Sequence, residues 1–366
     1  MQFVTHGPDV PETLLRAHEE GRVVFFCGAG ISYPAGFPGF HGLVEQIYCR
    51  LHDDFCQSEI EKKLIEQGRY DTALNLLENR LVDGRRSIRQ RIAQILTPTG
   101  SGSTETHNAL LELSKNHDQR TRLITTNFDR LFEQVIEERD LSVKRYEAPL
   151  LPVPKQRWDG LIYLHGLLPE NSEDCDLDNL VVSSGDFGLA YLSERWAARF
   201  VSELVRNFVL CFVGYSIDDP ILRYMMDALA ADRLLGESPQ EMFAFGDFSN
   251  GEQDVKSNEW RAKNVTPILY HNRDHHKHLH ETLRLWANSY RDGVLGKEAI
   301  VELYASANPD TSTSEDNFVG RVVWAICDPS GRPAKRFADF EPVPSLGSVD
   351  NHRIAMSVAV RYQLAA

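Results

Sequence analysis

The stretch Val23-Val24-Phe25-Phe26-Cys27-Gly28-Ala29-Gly30-Ile31-Ser32 decides how this chain folds. The large apolar residues from Val23 to Phe26 follow Arg22 and suit a parallel strand covered on both faces. Gly28 and Gly30 let the backbone turn tightly and come close to a ligand. Pro34, Gly36, Pro38 and Gly39 keep any helix directly after the turn short, and a longer periodic helix begins near His41 (Leu43, Val44, Ile47, Leu51). Backbone amides at such a strand-to-helix turn favour an anion, most often the pyrophosphate of a dinucleotide. Alone, the Gly-Ala-Gly also fits a structural turn in any α/β protein, so the rest of the chain decides.

Upstream, residues 11–20 read as a short amphipathic helix with Leu14, Leu15 and Ala17 inward. Downstream, helical patterns fill residues 43–51, 60–67, 70–81 and 87–96. That is more helix than a crossover between neighbouring strands requires, so a helical insert over about residues 41–96 is expected to lie over the site. A Pro/Gly/Ser loop and a helix over residues 106–115 lead to the second strand, Arg122-Leu123-Ile124-Thr125-Thr126, which ends in Asn127-Phe128-Asp129. The third, Gly160-Leu161-Ile162-Tyr163-Leu164, ends in His165-Gly166. Val181-Val182 is a short extended piece, and a long helix is expected over residues 191–207. The strand Phe208-Val209-Leu210-Cys211-Phe212-Val213 ends in Gly214-Tyr215-Ser216; strands at residues 242–245 and 265–270 and a helix over residues 276–290 follow.

Strands alternating with helices predict an α/β fold: a Rossmann-like parallel sheet with helices on both faces. Polar and small residues collect where the strands end, and open sheets of this kind bind ligands there. Asn, Asp, Gly and Ser are common at strand-end turns anyway, but four such clusters on one rim describe a dinucleotide cleft. The organisation read from the chain is a nucleotide-binding domain over residues 1–292, a linker over 293–317, and a small β-rich segment over 318–366. The last rests on the strand-like runs at residues 319–327 and 354–362.

The net charge of −14 argues against direct nucleic-acid binding, which needs clustered Lys and Arg. No apolar run approaches the roughly 20 residues of a membrane span, and the polar N-terminus carries no signal peptide. None of the six cysteines forms a Cys-x-x-Cys pair, and Cys27 and Cys211 read as small buried hydrophobes of a reducing cytoplasm. His271, His275, His276, His278 and His280 crowd one stretch, with His276 and His280 at metal-ligand spacing. No third ligand is identifiable, so a solvated helix start is the favoured reading and no metal is assigned.

Taken in order, Gly28-Ala29-Gly30-Ile31-Ser32, Thr126-Asn127-Phe128-Asp129, His165-Gly166 and Gly214-Tyr215-Ser216 resemble the sirtuins over roughly residues 20–290. The chain departs from the protein-deacylase branch in three places. It lacks the paired Cys-x-x-Cys zinc module after His165, where only Cys175 lies. Pro38-Gly39-Phe40-His41 lacks the Arg of the usual run, and Thr126 replaces Gln before Asn127. Asp186-Phe187, Asp218-Asp219-Pro220 and the helical insert look instead like the zinc-less bacterial effectors of anti-phage defence, which hydrolyse NAD.

That resemblance implies NAD as substrate and no zinc. It implies Asn127 and His165 as catalytic residues, the first orienting ribose and water, the second a general base. Asp129 would hold the nicotinamide carboxamide. Gly28, Ala29, Gly30 and Ser32 would cradle the pyrophosphate, with Gly214 and Ser216 on the adenosine side. Capping the following helix is the lesser alternative for Asn127 and Asp129, whereas Asp218 and Asp219 read first as shapers and caps of the helix at Pro220. The resemblance further implies a homo-oligomer, or a partner such as a HerA-type ATPase or an Argonaute-like protein, with no direct nucleic-acid or membrane contact. An NAD-dependent deacylase and a non-catalytic nucleotide-binding assembly subunit are the competing readings.

Overall fold

Seven strands form one parallel sheet in the order β3-β4-β2-β1-β5-β6-β7. They are β1 (Val23–Cys27), β2 (Arg122–Thr125), β3 (Arg145–Glu147), β4 (Gly160–Tyr163), β5 (Val209–Val213), β6 (Met242–Phe248) and β7 (Thr266–His271). The computed structural model describes residues 1–342 and 344, apart from 52–56, 98–101, 117, 171–176, 218, 235–239, 273, 290–293, 314–317 and 329.

Period-two alternation sorts the strand residues onto two faces. Phe25, Cys27, Leu123, Leu161, Val209, Cys211 and Phe243 point to one, where they pack with helices α1 (Glu12–Glu19), α6 (Glu105–Leu113), α7 (Leu131–Glu138) and α12 (Lys277–Ser289). Val24, Phe26, Ile124, Ile162, Leu210, Phe212 and Ala244 point to the other, under α9 (Trp196–Asn207), α10 (Pro220–Leu234) and α11 (Gln253–Ala262). Every residue of β1, β2, β4 and β5 is buried, which is why these strands read as unbroken apolar runs. Cys27 and Cys211 are buried with the rest, and burial raises both thiols well above their usual range. The chain winds outward from β1 in both directions, so the strand order reverses between β1 and β5. That is the position at which such a sheet opens a crevice at its carboxyl edge.

The four helices before α6 are α2 (Phe40–Cys49), α3 (Glu59–Glu66), α4 (Tyr70–Arg80) and α5 (Gly84–Ile95). They share a core of Leu43, Val44, Ile47, Leu74, Leu77, Ile88 and Ile92 that continues onto Phe128, Leu131 and Leu180 at the sheet's rim. The expected helical insert is therefore seated over the strand ends. Buried ionic groups fasten it. Arg89 on α5, fully buried, meets Glu78 and Asp186, the latter on the short helix α8 (Ser184–Phe187). Asp71 on α4, also fully buried, accepts from Tyr224 Oη at 3.0 Å and pairs with Arg223 of α10 at 3.4 Å.

The structure departs from the sequence reading, or adds to it, at four places. The edge strand β3 was not anticipated: it is three residues long and partly exposed, so it carries no apolar run. Val181-Val182 joins no strand, although the Val181 amide bonds the His165 carbonyl at 3.0 Å. The expected helix over 191–207 is interrupted: residues Gly188–Ser193 form a π-type turn, and Arg195, at φ +59°, precedes α9. The expected strand at 319–327 is a helix, α14 (Phe318–Ile326). Phe318, Val322 and Ala325 are its buried apolar residues, at helical spacing, and this outweighs the β-branched composition. With α13 (Val294–Tyr304), which occupies part of the stretch read as linker, and α15 (Arg332–Ala338), it builds a small helical cluster around Ile300, Val301 and Ala305. The described part of the terminal segment is thus helical, not β-rich; residues 354–362 lie outside the described residues. No described helix is long and apolar enough to cross a membrane.

Candidate functional site

The paired register fixes what stands on the rim. Cys27 lies opposite Thr125 of β2 and Val213 of β5, and Thr125 opposite Tyr163 of β4. Two residues beyond these pairs come Ala29, Asn127, Tyr215 and His165, so the polar clusters read from the sequence share one level of one edge. The last bonds of the sheet run across it: the Thr126 amide reaches the Cys27 carbonyl at 3.0 Å, and Leu164 reaches Thr125 at 2.8 Å.

At that level a buried polar network forms around Ser32. Its hydroxyl donates to Asp129 Oδ2 at 2.9 Å and accepts from Asn127 Nδ2 at 3.2 Å. His107 Nε2 of α6 lies 3.3 Å from the same oxygen. Burial raises the Asp129 carboxyl above the ordinary range, opposed by its bonds from the Leu131 amide, Ser32 and Asn127. Asp129 Oδ1 also accepts the Leu131 amide at 3.1 Å, so the residue caps α7 and faces the site at once. Ser32 was read as part of the pyrophosphate cradle; its hydroxyl bonds Asn127 and Asp129, because the 3₁₀ turn Ala29–Ala35 turns it inward.

The glycines act through close approach. A Cβ on Gly28 would sit 2.8 Å from the Gly214 carbonyl oxygen and 2.9 Å from the Tyr215 ring; one on Gly30 would sit 2.9 Å from Gly214 Cα. Gly214, at φ +77°, has room for nothing larger against Ile31 N at 2.7 Å. The Gly28 and Gly30 amides bond the Val213 and Gly214 carbonyls at 2.8 and 2.9 Å. These two donors lock the β1 turn to the β5 turn and are not free for an anion. Gly30→Ala forces backbone against backbone and is expected to destabilise the fold by about 1–3 kcal/mol, read as a lowered melting temperature.

Three adjoining cavities follow the rim. The innermost, about 40 Å³, is walled by Ala29, Ser32, Asn127, Asp129, Phe40 and Asp219 among others. The middle one, about 420 Å³, is bounded by Ala29, Gly30, Tyr33, His41, Tyr70, Gly214, Ser216 and Asp219. The outer one, about 210 Å³, runs from Gly30, Gly214 and Ser216 to Asp247, Tyr270 and His276. Asp219 stands on both the first and the second. Its Oδ1 caps α10 by accepting the Ile221 amide at 2.9 Å, as the sequence suggested, but its carboxyl also faces the groove. Burial pushes it up to about 7, with the Ile221 amide and Arg223 pulling down and Asp71 pushing up.

His165 is fully buried and does not share the cavity wall that carries Asn127 and Asp129. Its Nε2 meets Tyr191 Oη at 3.0 Å, and Nδ1 has no partner among the described residues. The Phe187 ring stands edge-on to it at 5.2 Å and stacks in turn on Tyr224 at 4.8 Å and 3°. Burial lowers His165 to about 3, so the imidazole is neutral. His107, likewise at about 3 by burial, was missed because its partner Ser32 lies 75 residues away and a lone histidine on an apolar helix carries no local signal.

The histidine crowd separates into individual contacts. His276 Nδ1 pairs with Tyr270 Oη at 2.9 Å, and His280 Nδ1 with Thr106 at 3.0 Å. Among the described residues no group of three or more His, Cys, Asp or Glu converges to hold a metal, and Cys175 lies outside them.

A family model described as SIR2-like domain matches residues 121–268, from the start of β2 into β7. The chain thus carries a SIR2-like domain over those residues. Beyond the domain, the uncharacterised protein y4cA of Sinorhizobium fredii is 34% identical to it over 269 residues, covering 72% of this chain and 22% of that one. A Cytobacillus dafuensis protein named NAD(+) hydrolase ThsA is 24% identical over 333 residues, covering 82% of this chain and 60% of the relative. Its Bacillus cereus namesake is 26% identical over 215 residues, covering 57% and 40%. The chain thus spans under two thirds of the length of each of these relatives.

Proposed function

We propose that this protein hydrolyses NAD, releasing nicotinamide and ADP-ribose. The observation that carries the reading is the Ser32–Asn127–Asp129 network, which stands on a cavity wall at the carboxyl edge where the strand order reverses. The names of the distant NAD(+) hydrolase relatives support it. Water adds to C1′ of the ribose, the C1′–N bond breaks with its electron pair going to the pyridinium, and the proton of the water is released. The pyridinium becomes neutral as it leaves, so the site's task is to position the water and stabilise positive charge on the ribose.

Asn127 fits the positioning role, since an amide both donates and accepts. Asp129 would hold the carboxamide. Asp219, between the inner and middle cavities, would face the ribose as cationic character develops there. His165 enters as a neutral imidazole behind the rim. The reading is tested by incubating the protein with NAD alone: nicotinamide and ADP-ribose are expected without any acylated peptide. Products appearing only with such a peptide would replace it with a deacylase.

Only the ionised Asp219 stabilises a cation. Its pKa of about 7 predicts that kcat/KM rises with pH through about 7 and levels above it. Asp219→Asn is expected to be slow at every pH and to lose this limb; a variant that keeps the limb would remove Asp219 from the scheme. His165, held near 3, contributes no limb between pH 5 and 9.

By the same resemblance we propose that the protein acts in anti-phage defence by depleting NAD when triggered. Self-assembly, or pairing with a HerA-type ATPase or an Argonaute-like protein, would supply the trigger; native mass measurement with and without such a partner tests this.

A further inference from the structure

We propose that Asp71 and Arg223 are positioning residues of the groove: without touching the ligand, they decide how far Asp219 carries a charge. The inference deepens the NAD-cleaving reading, which gives that charge its task, but the cluster is an observation of its own. Asp219 is the carboxyl shared by the inner and middle cavities, while neither Asp71 nor Arg223 lines the inner, middle or outer one. The first turn of α10 brings the three groups together. The Arg223 amide bonds the Asp219 carbonyl at 3.1 Å, so the two side chains rise from one side of that turn. From there the guanidinium reaches across to α4 of the insert, where Nη2 lies 3.4 Å from each oxygen of Asp71.

The guanidinium is divided unequally between the two carboxyls. Asp71 has no exposed surface and also accepts from Tyr224 Oη at 3.0 Å. It stands in the first turn of α4, where the helix presents its positive end. Arg223 meets it through one nitrogen, near the limit of a hydrogen bond, and the guanidinium lies over the Tyr224 ring at 5.3 Å. Among the described residues no bond joins the Arg223 side chain to the Asp219 carboxyl, which accepts the Ile221 amide instead. Asp219 thus faces a second carboxyl from the insert and receives only part of the cation that lies one turn away.

A like charge disfavours ionisation of a carboxyl and an opposite charge favours it. After burial, which does most to raise Asp219, the Ile221 amide and Arg223 pull it down and Asp71 pushes it up. The other titratable groups in its field, among the described residues, are the phenols of Tyr33, Tyr191 and Tyr215. Burial raises all three above their ordinary range, so they stay neutral where Asp219 titrates. Asp218 lies outside the described residues. Asp71 is therefore the group whose neutralisation should favour the charged form of Asp219, and it should also release Arg223 toward it.

The test follows two midpoints in the full chain: the rising limb of kcat/KM for NAD, and the titration of the Asp219 carboxyl by NMR of protein isotope-labelled at its aspartate carboxyls. The Asp219 signal is the one missing from Asp219→Asn. Asp71→Asn keeps an acceptor for Tyr224 and Arg223 and removes the charge. It is expected to move both midpoints down by about one pH unit, so that NAD is cleaved about fivefold faster than by the unmodified protein at about pH 6 and almost equally fast above about pH 8. Adding Arg223→Gln to Asp71→Asn should move both back up by about half a unit. Tyr224→Phe removes a bond to Asp71 but keeps both charges, and should leave the midpoints in place. Asp71→Ser serves if Asp71→Asn melts early. Unmoved midpoints in a folded variant, or a rate lowered by the same factor at every pH, overturn the inference. A shifted Asp219 signal without turnover of NAD overturns the hydrolase reading and leaves this one standing. A limb that shifts while the Asp219 signal does not overturns this inference and leaves the hydrolase reading in place.

Discussion

Asn127→Ala is expected to lower NAD turnover by about 10³-fold. The side chain is almost wholly buried on the inner cavity wall, where its amide group bonds Ser32 through Nδ2 at 3.2 Å and also bonds Asp129. No protein group among the described residues takes Oδ1, so that oxygen is available to water or a ribose hydroxyl. Removing the amide unseats the water without touching the hydrophobic core, because the backbone amide stays bonded to Thr125 Oγ1 at 3.1 Å. The stability cost should stay near 1 kcal/mol. Chromatographic detection of nicotinamide with a parallel melting curve separates the two effects. A folded Asn127→Ala protein that still releases nicotinamide at the original rate would remove the amide from the chemistry.

Arg89→Ala is expected to carry the largest loss of stability, about 3–5 kcal/mol. The guanidinium is inaccessible to solvent and is shared between Glu78 and Asp186, with a further bond to the Leu180 carbonyl at 3.2 Å. Truncation leaves two carboxylates facing each other in a dry interior. Arg85 meets Asp186 too, but from a half-exposed position, and Arg85→Ala should cost at most about 1 kcal/mol. Urea unfolding of the two variants side by side measures the contrast. Equal midpoints would mean that Arg89 is not the fastening of the insert.

The strands β1, β2, β4 and β5 were legible because a strand buried on both faces has no room for polar residues, and the ends of the last three announced themselves in Asn127, Asp129, His165 and Gly214. β3 was not legible: Arg145-Tyr146-Glu147 lies at the sheet edge, where water replaces one neighbour and the apolar signal disappears. α14 misled through its valines, since local composition competes with a periodicity that only its packing partners reveal. At the site, the residues of each turn could be named, but their pairing could not. Ser32 and Asp129 meet across 97 positions, and only the folded sheet brings them together. Asp219 reads as a helix cap because it is one; nothing in Asp-Pro says that the same carboxyl also faces a groove.

Asp186 and Phe187 are consecutive in the chain, and they do unlike things. The first is the anchor to which the helical insert is tied, and the second is the ring resting against His165. The contact that seats the insert and the contact that backs the imidazole are thus one peptide bond apart.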